Sequence, residues 1–503
     1  MRANGAPARI SLLVLTSLSA CGGLSKAPDH GCYAPPPRRV APAPREEASH
    51  AREEYVDHGV RPFVTTGADP LSTFSVDVDT GSYTVTRRKL REGTLPPPVA
   101  VRAEEFVNYF RPGVPAPLDD DFTLHADAAA SPFRERTLLR VVLRSRVATG
   151  ATRKPANLVF LVDTSGSMRS SDKLPLVVRS LRYLTERLRD DDRVAVCTYA
   201  GDVDVVLPPT WGGEKESIVD ALESLEAGGS TAMGSGIDLA YELAARMARP
   251  GTNTRVIVCS DGDANVGPTS HAEILRLIAR HERAGITLGT VGFGMGNYRD
   301  GLMEQLADEG DGSYAYVDSD AEARRLFQED LVQSLELVAR DAKVQVAFDP
   351  ARVARYRLIG YENRALLDEQ FQDDQVDAGE VGAGHSVTAL YELELVPGSA
   401  GPFGEVRIRW RSAEPLEGEP ARELVRSLPA IAAPGFERAS RGFRVQACAA
   451  ELAEVLRRSP HVATRPADLL PHLEAALDRH ADEREQELLD LIGRAAALSR
   501  AGL

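Results

Sequence analysis

Asn157-Leu158-Val159-Phe160-Leu161-Val162-Asp163-Thr164-Ser165-Gly166-Ser167 is an apolar run that ends on a carboxylate and then on small hydroxyl residues. A strand without polar alternation is buried on both faces, which is the condition of a parallel sheet covered by helices. Further β-type runs follow at Arg193–Ala200, Asp202–Leu207, Arg255–Ser260, Ile286–Gly292 and Ser313–Val317. Between them, Leu174, Val177, Val178, Leu181, Leu184 and Leu188 recur at helical spacing, as do Ile237, Leu239, Leu243 and Met247. The tight turn at Gly201-Asp202 makes the strand after it antiparallel. The expectation is an α/β fold, a doubly wound Rossmann-like sheet with one reversed strand, over residues 155–340.

In such a sheet ligands bind beyond the carboxyl ends of the strands. Asp163, Ser165 and Ser167 leave the first strand there and offer one carboxylate and two hydroxyls, the oxygen donors that a hard divalent cation takes. Thr231, in Gly228-Gly229-Ser230-Thr231, and Asp261, in Cys259-Ser260-Asp261-Gly262, add two more oxygen donors. Asp-x-Ser-x-Ser alone also fits a capped helix start. The ordered set of five resembles the metal-ion-dependent adhesion site of the von Willebrand factor A (vWA) domain, which reads Asp-x-Ser-x-Ser, then Thr, then Asp. The resemblance implies that Ser165, Ser167 and, in some conformations, Thr231 touch a Mg²⁺ or Mn²⁺ directly, while Asp163 and Asp261 hold its waters. It also implies an open coordination position for a carboxylate of a partner protein. Ser260 stands where relatives commonly carry Thr, and Asp263 is a nearby carboxylate without an assigned role.

Lys plus Arg total 59 against 74 Asp plus Glu, a net charge of −15, so a nucleic-acid partner is excluded by the overall field. About −12 of that charge falls within residues 155–340, which suits cation retention. Composition is that of a globular chain, at 43% hydrophobic and 26% charged. Its length of 503 residues calls for several folded units. Five Cys are too few for a disulfide framework. In the vWA strand order, Cys197 and Cys259 lie on opposite sides of the first strand, about 10 Å apart and beyond disulfide reach, so both are expected as buried thiols. Cys448 falls in an apolar helical stripe and is expected in the core.

Residues 1–20 carry Arg2 and Arg9, the apolar run Ile10–Leu18 and then small residues, the layout of a secretory signal too short to span a bilayer. Leu18-Ser19-Ala20-Cys21 resembles the bacterial lipobox, which implies acylation of Cys21 and a membrane anchor. Gly22 in place of Asp implies the outer membrane, by similarity to Gram-negative lipoproteins. Residues 21–66, rich in Pro, Arg, Glu and Ala, read as a semi-extended tether in which Cys32 is either an unpaired thiol or an intermolecular one.

Strand patterns at Phe122–Ala126 and Leu138–Arg144 in an N-terminal flank (67–150), and at Lys343–Phe348, Ala354–Leu358, Ser386–Leu395 and Gly404–Trp410 in a continuation (341–412), predict a β-sandwich. The α/β domain is inserted into it. Helical periodicity at Phe443, Cys448, Leu452 and Leu456, at Leu469, Leu473 and Leu477, and at Leu488, Leu491 and Ile492 predicts three helices in a helical region 413–503. These form a small bundle or pack on the sandwich. The stretches Phe74–Phe110, Tyr356-Arg357-Leu358-Ile359-Gly360-Tyr361-Glu362-Asn363-Arg364, Asp377-Ala378-Gly379-Glu380 and Gly384-His385-Ser386-Val387-Thr388-Ala389-Leu390-Tyr391-Glu392 resemble the flanks of YfbK-like bacterial vWA lipoproteins. In those the C-terminal part is a domain of unknown function.

Asp77-Val78-Asp79-Thr80 is similar to the phosphotransferase nucleophile Asp-x-Asp-x-Thr, but the Thr falls one residue early, and Gly81 is misplaced for a Ca²⁺ loop. His271 and His281 lie on a helix away from any carboxylate cluster and are expected at the surface. No hydrolase elbow, zinc-protease helix or phosphate loop occurs in the sequence. The expectation is therefore a non-enzymatic, membrane-tethered binding protein of the cell envelope without a small-molecule substrate. Its alternatives are an envelope scaffold whose metal only stabilises the sheet, and a metal-dependent hydrolase.

Overall fold

The computed structural model describes residues 55–500 other than 77–78, 149–152, 230–232, 263–270, 283–284, 295–299, 331–334, 375, 377, 414–418 and 430–434. The signal, Cys21 and Cys32 lie outside the described residues, as do Asp77, Thr231 and Asp263. Four strands precede the α/β domain: β1 (Val64–Thr65), β2 (Leu71–Ser75), β3 (Phe122–Ala130) and β4 (Thr137–Ser145). Helices α1 (Gly81–Arg91) and α2 (Ala103–Tyr109) lie between β2 and β3. The domain itself holds β5 (Ala156–Asp163), β6 (Arg193–Tyr199), β7 (Val203–Trp211), β8 (Asn253–Ser260), β9 (Ile286–Phe293) and β10 (Tyr314–Val317). After it come β11 (Leu337–Phe348), β12 (Val353–Ile359), β13 (Val381–Gly382), β14 (Ser386–Leu395), β15 (Gly404–Ser412) and β16 (Arg422–Ser427).

The central sheet has the order β10-β9-β8-β5-β6-β7, parallel except for the antiparallel pair β6 and β7. On β5 the faces alternate strictly. Val159 and Leu161 join one apolar cluster with Ile237, Tyr241 and Met247 of helix α5 (Met233–Met247), whereas Leu158, Phe160 and Val162 join a second with Val177, Leu181 and Leu184 of helix α3 (Leu174–Arg187). Both faces are therefore dry, as the unbroken apolar run predicts. The reversed strand is longer than its predicted end at Leu207 and continues through Pro208 and Pro209 to Trp211, which an edge position permits because proline's missing N–H can face solvent. Cys259 on β8 and Cys197 on β6 flank β5 as buried free thiols, and Cys448 is likewise free and buried.

The flanking strands form two antiparallel sheets, β1-β12-β14-β4-β3 and β13-β11-β15-β16, with β2 also paired to β11. Each sheet draws strands from both sides of the α/β domain, so the sandwich is discontinuous and the domain is an insertion. Besides small extensions of β3 and other strands, the flanks depart from the sequence reading in two larger ways. β11 starts at Leu337 rather than Lys343, because a register shift with Asp341 at φ 51 interrupts its alternation. Region 413–503 is not wholly helical: Arg422–Ser427 is the edge strand β16, mostly exposed and too short and mixed for an alternating apolar pattern to mark it.

The three predicted C-terminal helices are Arg441–Leu456, Pro466–Glu474 and Glu483–Arg500. With α1 and α2 they cover the outer face of the first sandwich sheet, where Leu138, Ile359 and Leu390 pack with Phe106, Phe443, Leu452 and Leu491. Among the described residues no helix is long and apolar enough to cross a membrane.

That covered face also buries charge. Arg357, fully buried, pairs with Glu392 at 2.7 Å and with Glu454 at 2.8 Å, both also fully buried. Beside them, burial raises the Glu451 carboxyl to about 7; Arg134 opposes this and the Glu392 and Glu454 carboxylates add to it. Arg357→Ala removes one partner from each of two buried carboxylates, while Glu392 keeps Arg134 and Arg136 and Glu454 keeps Arg457, and it should lower the unfolding free energy by about 2–3 kcal/mol in urea denaturation. A carboxyl raised from 4.5 to about 7 on folding stabilises the fold while protonated, fully below its unfolded pKa, and that contribution is lost as pH rises through about 7. The stability of the natural chain relative to Glu451→Gln should therefore fall between about pH 4.5 and pH 8. A difference that stays flat with pH would contradict the assignment.

Candidate metal centre

The carboxyl ends of β5, β6 and β8 meet at Asp163. Register pairs Asp163 with Tyr199 on one side and Val162 with Cys259 on the other, which brings Ser260 alongside. Asp163 is fully buried, and its oxygens are held from three directions. The Ser165 N–H donates to Oδ1 at 2.9 Å, and Ser260 Oγ and the Tyr199 hydroxyl donate to Oδ2 at 3.0 and 3.2 Å. Burial nonetheless raises its carboxyl above the usual range, and the Asp261 charge adds to that push against the hydrogen bonds from Ser165 and Ser260. The centre is an anionic site that favours a cation.

After Asp163 the chain turns, because Gly166 N–H donates to the Gly229 carbonyl at 3.1 Å and Gly228 N–H to the Thr164 carbonyl at 2.7 Å. The loop leading toward Thr231 is thereby strapped to the turn. Ser165 Oγ and Ser167 Oγ share a hydrogen bond at 3.0 Å. Two oxygens bonded at right angles to one Mg²⁺ at about 2.1 Å would be separated by about 3.0 Å. Asp261, 1% exposed, follows Ser260 and accepts from Lys173 Nζ at 2.7 Å, so an ammonium already acts as a cation at this carboxylate. Gly236 of α5 completes the platform, since a Cβ there would lie 2.9 Å from Tyr199 Cβ and 3.0 Å from a Leu161 methyl.

The structure thus unites Asp163, Ser165, Ser167 and Asp261. Thr231 falls outside the described residues, and so does the lipidation residue Cys21. The donor set fits a hard divalent ion: Ser165, Ser167 and Asp261 would face it, and Asp163 would orient the serine turn. Among the described residues no group of three or more His, Cys, Asp or Glu side chains could hold a metal, so such an ion would rest largely on hydroxyls. Tyr199 and Lys173 carried no sequence signal, the latter because its partner is 88 residues away. Ser260 was noticed in the sequence only as a substitution and proves to orient Asp163.

Other candidates resolve as structural. Asp79 accepts from Tyr314 N–H and Arg364 at 3.0 Å each and clamps the N-terminal flank to β10. His281 is half-buried and stacks on Tyr241 at 4.3 Å, rather than standing freely at the surface. A cleft of about 460 Å³ opens near the amino ends of β8 and β9, lined by Lys154, Arg249, Arg255, Glu336 and Glu380, far along the sheet from Asp163.

A family model described as von Willebrand factor type A domain matches residues 157–333, and one described as uncharacterized protein YfbK, C-terminal, matches residues 333–498. A third, described as von Willebrand factor, matches residues 49–140. The chain carries a von Willebrand factor type A domain followed by a region of the YfbK C-terminal type. It is 41% identical over 368 residues to the uncharacterized protein YfbK of Escherichia coli K12, across 71% of this chain and 64% of that one. It is 24% identical over 299 residues to an uncharacterized Synechocystis protein, sll0103, across 58% and 69% of the two chains. Among solved structures, a von Willebrand factor type A protein from Catenulispora acidiphila aligns at 19% identity and a TM-score of 0.40, across 62% of this chain and 73% of that one.

Ser165→Ala removes one hydroxyl and keeps the backbone N–H that holds Asp163. Mn²⁺ affinity should fall at least about tenfold in calorimetric titration, with an unchanged circular dichroism spectrum. Undiminished binding would remove Ser165 from the site.

Proposed function

We propose that the protein is a non-enzymatic adaptor of the cell envelope that captures a carboxylate of a partner protein through Mg²⁺ or Mn²⁺ held at Asp163, Ser165, Ser167, Thr231 and Asp261. The observation that carries this reading is the pair of hydroxyls 3.0 Å apart over a fully buried carboxylate. When bound, the ion would supply a Lewis-acidic position for an incoming carboxylate oxygen. Hydroxyl ligands neutralise less of the ion's charge than carboxylates do, so that position stays strongly attractive to an anion. The chain's own residues do the rest: Asp163 fixes the serine turn, and Tyr199 and Ser260 fix Asp163.

The same reading places the chain on a membrane through acylated Cys21, on the outer-membrane side, with the residues after it as the tether; the end of the predicted tether at Val64–Thr65 is instead strand β1 of the sandwich, paired with β12. The membrane placement rests on the signal layout and Leu18-Ser19-Ala20-Cys21. Metal-dependent hydrolysis fits less well, since it needs a general base beside the ion. Both described carboxylates are engaged there, Asp163 by three donors and Asp261 by Lys173.

Affinity capture from detergent-solubilised envelopes tests the proposal. A protein retained by the natural chain in Mg²⁺, and lost both on adding EDTA and with Ser165→Ala, is expected. Retention that is equal in all three arms would show that any partner binds elsewhere. A metal that shifts only the melting temperature would favour a scaffold.

A further inference from the structure

Among the described residues, Lys173 brings a positive charge against the ion proposed to sit at the centre, and it is held in place by more than its ion pair. It occupies the position before helix α3, where its N–H donates to Ser170 O at 3.0 Å and its carbonyl accepts from Leu176 and Val177 at 2.8 and 2.9 Å. From there its stem crosses Gly294. A Cβ at Gly294 would stand 2.2 Å from Lys173 Cγ and 2.6 Å from Cε, so only glycine leaves this channel open. Gly294 has φ +71, the left-handed region that favours glycine, and its carbonyl accepts from the Tyr316 hydroxyl at 2.9 Å. The channel delivers Nζ to Asp261 Oδ2 at 2.7 Å, with the two side chains 9% and 0% exposed. A lysine with only a packing role would snorkel its ammonium to water. This one points its ammonium inward to a predicted metal-site carboxylate.

We propose that Lys173 is a built-in counter-cation that weakens the divalent ion's hold and keeps the bound ion electron-poor. The inference rests on the metal reading above. With Asp163 and Asp261 ionised, Lys173 changes the fixed charge of the described centre from −2 to −1. A divalent ion then sees less attraction from the protein, and the site as a whole carries more positive charge toward an incoming carboxylate. Occupancy depends on ambient Mg²⁺ rather than being permanent. The alternative role of Lys173, orienting Asp261 as an outer partner of a ligand, makes the opposite forecast, because removing such a partner weakens metal binding.

The test is Mn²⁺ titration of the full-length protein, followed by the paramagnetic resonance of the free ion, for the natural chain, Lys173→Met and Lys173→Gln. Two replacements are used so that one poorly folded variant does not decide the matter, and thermal melts without metal check each fold. Both variants should bind Mn²⁺ at least about tenfold more tightly than the natural chain, and Mn²⁺ should raise their melting temperatures by more. Adding Ser165→Ala to Lys173→Met should abolish that gain. Unchanged or weaker Mn²⁺ binding in both single variants would overturn the role of Lys173 and leave the metal site standing. If neither the natural chain nor any variant bound Mn²⁺, the metal reading itself would fall, and this inference with it.

Discussion

A carboxylate with no exposure to solvent, at the end of the central strand, is the constraint on which the site depends. Burying an ionised acid is expensive unless donors surround it, and Asp163 has three, one from its own turn and one from each neighbouring strand. Those donors are set by strand register. A one-residue slip of β6 or β8 would withdraw Tyr199 or Ser260 from the carboxylate. The geometry of the serine turn therefore follows from how the sheet is paired, and the sheet is fixed by an apolar run packed on both faces.

The body around this sheet is built to hold it. Arg87 of α1, 2% exposed, reaches Glu322 at 3.0 Å and Glu487 at 3.2 Å, and pairs with Asp318. One guanidinium thus ties the N-terminal flank, the end of the α/β domain and the last helix together. Arg357, Glu392 and Glu454 do the same between the sandwich and the first C-terminal helix. Buried ion networks of this kind add little net stability but penalise every other arrangement heavily, so they specify where the inserted domain attaches.

What was legible in the sequence was what local periodicity and motif order encode. The six strands and the reversed hairpin follow from apolar runs and one Gly-Asp turn, whereas the flanking of β5 by Cys197 and Cys259 was implied by the vWA strand order. Asp163, Ser165, Ser167 and Asp261 were legible because each closes or follows a strand that the same patterns locate. Long-range polar partnership was not legible. Nothing local marks Lys173 as the partner of Asp261, or Tyr199 as a donor to Asp163, since each pairing exists only once the sheet is assembled. Strand β16 escaped for the converse reason: a short, mostly exposed edge strand, Arg-Glu-Leu-Val-Arg-Ser, pairs through its backbone and leaves no apolar alternation. The bulge at Asp341 hid the start of β11 in the same way, by breaking the alternation that would announce it.

The claim at the centre is that the hydroxyls of Ser165 and Ser167 are two adjacent ligands of a single divalent ion. Crystals grown with Mn²⁺ and measured at an energy where manganese scatters anomalously would locate that ion without assumption. The account predicts one strong anomalous peak within about 2.2 Å of both Oγ atoms, beside Asp163 and Asp261. A map with no peak there, or with manganese only at distant surface carboxylates, would contradict it.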